Sequence, residues 1–121
     1  MITDTQLFRL VGRLLLEDAE FVRRFRGVLK PEHFRSAEMR VLVDFALQFY
    51  DQHKVTPGIS AFAMEAESPI KTWEVLGVRP ELAQALVKSI REEPNPPTGV
   101  DQYVADRLEH YIKLQEFDRA V

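Results

Sequence analysis

The sequence predicts an all-α domain, and three observations carry that prediction. Apolar residues recur at helical spacing along almost the whole chain. No run with the two-residue alternation of a strand stands out. Helix punctuation (Asp18, Gly27, Pro31, Ser36, Pro57-Gly58, Pro69, Pro80 and a proline cluster at 94–97) falls between the periodic segments.

The elements follow in order. Leu7, Val11, Leu14 and Leu15 make the stripe of a first helix, widened by Phe8 and Leu10, with Thr3 or Asp4 as its cap. Asp18 is placed to cap a second helix carrying Phe21, Val22 and Phe25, which Gly27 should end as a C′ glycine. A short link with a proline-initiated turn, Lys30 to Phe34, leads to Ser36, the expected cap of a long helix from Ala37 to His53. Its stripe is Met39, Leu42, Val43, Ala46, Phe49 and Tyr50. Val41, Phe45 and Leu47 make other faces apolar too, so this helix should be covered on most sides.

Thr56-Pro57-Gly58 restarts the chain into a short helix, about Ile59 to Glu67, which Ser68-Pro69 breaks. The stretch from Ile70 to Val78, with the only tryptophan, Trp73, has no clear period. Pro80 opens a helix through about Glu92 with Leu82, Leu86, Val87 and Ile90 on one side. Three prolines in four residues, within 94–97, then exclude regular structure. Asp101 is the expected cap of the last helix, Gln102 to Val121. On a helical projection its apolar residues spread over roughly 220°, against the 100° or so that one core face requires. The excess width predicts a second packing surface on that helix. The helix also reaches the last residue with no stop signal, which fits a parent protein that continues.

Composition narrows the function. With 121 residues the chain is one domain. The net charge of -3 is not that of a basic nucleic-acid binder. The balance is uneven: eight basic residues against five acids between Arg9 and Arg40, but seven against eleven from Glu65 onward. There is no cysteine, hence no thiolate metal site, disulfide or thiol nucleophile. The N-terminus lacks the pattern of a secretory signal, and no apolar run is long enough to span a bilayer.

Catalytic patterns are missing as well. The five glycines are isolated, so no phosphate loop is present, and no nucleophile elbow occurs. His33, His53 and His110 are scattered; Asp106 and His110 share a helix face, which predicts a surface ion pair and not a metal site. Glu65 and Glu67, or Glu92 and Glu93, do not converge on a cleft as general acid and base would. Arg23, Arg24 and Arg26 read as a solvated face before a phosphate contact, and Phe25 as core before a stacking platform.

As an ordered series, particular residues resemble a known family. They are the leucine-rich first helix, Glu17-Asp18-Ala19-Glu20-Phe21, Leu29-Lys30-Pro31-Glu32-His33-Phe34, Ser36-Ala37-Glu38-Met39-Arg40 and the helix ending Phe49-Tyr50. Val55-Thr56-Pro57 follows, then a late helix with Tyr103, Leu108, Tyr111 and Phe117. This series is similar to the N-terminal domain of DnaB-type hexameric replicative helicases, especially the phage branch. The resemblance spans nearly the whole chain.

The resemblance implies an all-α domain with a compact head, residues 1–67, a connecting segment, 68–79, and a C-terminal helical hairpin of helices 80–93 and 101–121. It implies a non-catalytic domain that forms the collar of a hexamer and docks primase, and in some systems a loader, in the cytoplasm of a bacterium or a phage-infected cell. ATP and magnesium would belong to a motor domain elsewhere in the parent protein, so no cofactor is expected in this chain. On this reading Leu82, Leu86, Ile90, Tyr103, Arg107, His110, Tyr111, Leu114 and Phe117 are candidates for the oligomer interface. Arg23, Arg24 and Arg35 are weaker candidates for partner or DNA contact. The rival readings are a stand-alone helical adaptor, such as a helicase loader or replication accessory protein, and an unrelated helical enzyme or ligand-binding bundle.

Overall fold

A computed structural model describes residues 4–67, 80–92 and 100–120. The described residues form six α-helices and one 3-10 turn, with no strand among them: α1 Asp4–Glu17, α2 Ala19–Phe25, the turn Pro31–His33, α3 Ala37–His53, α4 Ile59–Glu67, α5 Pro80–Glu92 and α6 Val100–Ala120. The all-α prediction holds. Trp73, the 94–99 proline segment and the proposed cap Thr3 lie outside the described residues.

Local chemistry sets most boundaries. The Asp18 carboxylate accepts from the Glu20 and Phe21 amides, and the Ser36 hydroxyl accepts from the Met39 amide, so both are the caps that the sequence predicts. Two boundary expectations fail. Gly27 follows α2, but its φ is not positive; the chain leaves through Arg26 in a right-handed conformation and a turn. Asp101 is not the cap of α6, which already begins at Val100. Lys54 takes the left-handed role at the end of α3, with φ of 60°. Gly58, at φ of 85°, donates its amide to the Leu16 carbonyl and ties the start of α4 to the end of α1.

One apolar cluster runs through all six helices. α1 gives it Leu7, Leu10, Val11, Leu15 and Leu16; α2 gives Phe21, Val22 and Phe25; α3 gives Met39, Leu42, Val43, Ala46 and Tyr50. These are mostly the faces predicted by spacing: Leu16 joins the core in addition, while Leu14 and Phe49, which spacing put in the stripes, are half-buried, as are Phe8, Phe45 and Leu47. Gly12 lets α1 approach closely: a Cβ there would lie 3.1 Å from Ile90 Cδ1 and 3.3 Å from Leu42 Cδ1.

The expected hairpin is where the structure departs most from the resemblance. α5 packs chiefly on α4, α1 and α3, and α6 on α1 and the 3-10 turn; any contact between α5 and α6 is slighter. Both helices are therefore folded onto the head instead of pairing as a separate arm. The physical reason lies in their inner faces. Ala83, Val87 and Ile90 of α5, and Val104, Ala105, Leu108 and Ile112 of α6, are buried in the same core as α1.

Candidate association surface

α6 is held on the head by polar struts as well as by its core face. His33 is 1% exposed. Its Nδ1 accepts the Lys30 amide proton at 3.0 Å, which leaves Nε2 to donate to the Glu116 carboxylate at 2.5 Å. Tyr111 donates its hydroxyl to the His33 carbonyl at 2.7 Å, and its ring packs on Phe8 and Phe34. Along the first half of α6, Arg24 binds the Glu109 carboxylate at 2.7 Å and lies near Gln102 and Asp106.

These contacts sort the candidate residues. Ile90 is fully buried against α1 and α3, so it is core and not interface. Leu86 is half-buried on that core. Tyr111 packs on Phe8 and Phe34 and Arg24 is paired to Glu109, so neither belongs to an open oligomer face on the outside of α6. Asp106 pairs with Gln102 and Arg24, and the Asp106–His110 ion pair expected from spacing is not among the described contacts. Arg23 and Arg35 are exposed. Arg107 is half-buried, and its Nε is buried with no hydrogen-bond partner. Leu82, at 46% exposure, lies on the outside of α5.

Apart from these isolated positions, the candidates that remain open form one stripe of α6. Tyr103 is 44% exposed, Leu114 50% and Phe117 68%, and His110 lies between them in the open. With Arg107, these residues stand at intervals of four, three, four and three. That alternation is the seam spacing by which one helix receives another. The buried Val104, Leu108 and Ile112 occupy the opposite side, so the 220° arc divides into an inner face and an outer seam. The seam spacing is present in the sequence; the division is not, because it depends on which residues α1 covers.

Among the described residues no group of three or more His, Asp or Glu side chains is placed to hold a metal ion, and no helix is long and apolar enough to cross a membrane. No family model matches the chain, nor does any curated protein or solved structure.

Proposed function

We propose that this chain is a non-catalytic association domain, the N-terminal collar of a cytoplasmic replicative DNA helicase that self-assembles and docks primase. The observation that carries the reading is the seam on α6, which offers three large apolar side chains to solvent at coiled-coil spacing. The ordered similarity of residues 1–67 to the helicase family supports the choice of assembly. Because α5 lies against the head, pairing would run through the outer face of α6 and not through a projecting hairpin.

The test is Leu114→Asp combined with Phe117→Asp. Both side chains are at least half exposed, so helicity by circular dichroism should be retained while self-association is lost in light scattering. A self-associating parent whose mass the double variant leaves unchanged would remove the seam as the interface. Association of an isolated collar is concentration-dependent, so the parent is measured over a dilution series.

A second reading is favoured by the folding back of α5 and α6. A chain closed on a single core suits a stand-alone adaptor, such as a helicase loader. It would remain monomeric at every concentration and bind the helicase itself.

A further inference from the structure

A cleft of about 390 Å³ opens where α1, the start of α3 and α6 meet, lined by Phe8, Phe34, Arg35, Ser36, Tyr111 and Gln115. It lies on the inner side of α6, away from the Tyr103–Phe117 seam, and does not depend on whether the domain self-associates. Three rings make its apolar wall. Phe8 and Phe34 meet edge to face with centroids 5.5 Å apart, Phe8 and Tyr111 at 5.2 Å, and Phe34 and Tyr111 at 5.7 Å. The Tyr111 hydroxyl is already bound to the His33 carbonyl, so the ring is fixed in place. Phe34 is almost wholly buried, whereas Phe8 and Tyr111 are half-buried.

The polar rim is cationic. Arg35 is exposed, and its guanidinium has no ion pair among the described residues. Arg40 reaches back and donates to the Arg35 carbonyl at 3.2 Å, which brings a second guanidinium to this corner. Gln115 adds an amide that can donate or accept. Glu116, the next residue on α6, is turned to His33. The cleft volume is near the lower end for ligand sites, enough for one anchoring side chain with its flanking backbone and small for an extended cofactor.

We infer that this cleft is a docking pocket for an acidic peptide segment of a partner protein, which inserts one aromatic side chain against Phe8 and Tyr111, over the floor that Phe34 supports, and sets a carboxylate on Arg35. Aromatic anchors in a walled pocket with a charge-assisted contact at the rim are the arrangement by which a small site gains useful affinity. Arg35 and Arg40 belong to the part of the chain with a basic excess, residues 9–40, which suits this rim to an acidic segment.

The test uses a labelled heptapeptide with a central phenylalanine between aspartates, titrated into the intact 121-residue chain by fluorescence anisotropy and by amide-resolved NMR. The expected result is saturable binding with shifts concentrated at Phe34, Arg35, Ser36, Tyr111 and Gln115. Arg35→Glu should weaken it by about tenfold or more, as loss and reversal of a charge-assisted contact requires. Gln115→Trp should fill the cleft and block binding without removing a core side chain; helicity checks that both variants fold. The Leu114→Asp, Phe117→Asp double variant should bind like the parent, which separates this site from the seam. Lysine in place of the aspartates, or serine in place of the phenylalanine, should abolish binding. Equal binding of the lysine peptide, shifts elsewhere on the surface, or affinity unchanged by Arg35→Glu would overturn the assignment. So would oligothymidylate that binds the same residues more tightly than the peptide, because the rings and arginine would then be a base-stacking platform.

Discussion

Replacing His33 by phenylalanine tests the strut that seats α6. The ring size is kept, so no large cavity opens, but both nitrogen contacts disappear. The Lys30 amide then loses its acceptor in a partly buried setting, which costs about 1–3 kcal/mol. The contact to Glu116 contributes less, about 0.5–1 kcal/mol, since that carboxylate is half exposed and can turn to water. A more apolar ring in a site that is 1% exposed returns about 1 kcal/mol. The net loss is about 0.5–3 kcal/mol, or a fall in Tm of roughly 2–12 °C for a domain of this size. Urea unfolding followed by far-ultraviolet circular dichroism measures it. A second arm combines His33→Phe with Glu116→Ala; the pair should couple by about 0.5–1 kcal/mol in a double-mutant cycle. A phenylalanine variant as stable as the parent, or zero coupling, would refute the strut.

Two further predictions address the fold. Ile90→Ala should destabilise by about 2–5 kcal/mol, as truncation of a fully buried side chain does, whereas Leu82→Ala on the same helix should stay within about 0.5 kcal/mol. Chemical denaturation of the two variants compares them directly, and similar losses would mean that α5 is rotated from the orientation described. Gly12→Ala should change stability by no more than about 1 kcal/mol in either direction, because the gain in helix propensity is set against contact with the mobile ends of Ile90 and Leu42. Gly12→Leu should cost about 1–3 kcal/mol or more by overpacking, read by thermal unfolding.

The core of α1, α2 and α3 was legible in the sequence because it depends on spacing alone: Leu7, Val11 and Leu15 repeat at helical intervals, and the caps Asp18 and Ser36 stand where polar side chains bond their own helix. The face of α5 was less legible. Spacing favours the large Leu82, but the structure buries Ala83 with Val87 and Ile90 and leaves Leu82 outside, so the inner face of α5 is rotated from the one that side-chain size suggests. The cleft and the His33–Glu116 contact had no sequence signal. Their partners are up to 83 residues apart, and neither residue type is unusual for a surface. His33 in particular reads as one of three scattered histidines until α6 covers it.

The placement of α6 connects the seam to the cleft. The helix is fixed near its middle by Tyr111, toward its end by Glu116 and on its flank by Arg24, while Val104, Leu108 and Ile112 fill the core beneath. A helix restrained at so many points presents its outer residues without having to be ordered first, which lowers the entropic cost of receiving a partner. The same restraints form the wall of the cleft, because Tyr111 and Gln115 stand on the α6 side of it. A perturbation that lifts α6, such as His33→Phe, should therefore weaken seam and cleft together, whereas Leu114→Asp with Phe117→Asp should reach only the seam and Gln115→Trp only the cleft. That pattern would distinguish one rigid helix serving two surfaces from two surfaces that act independently.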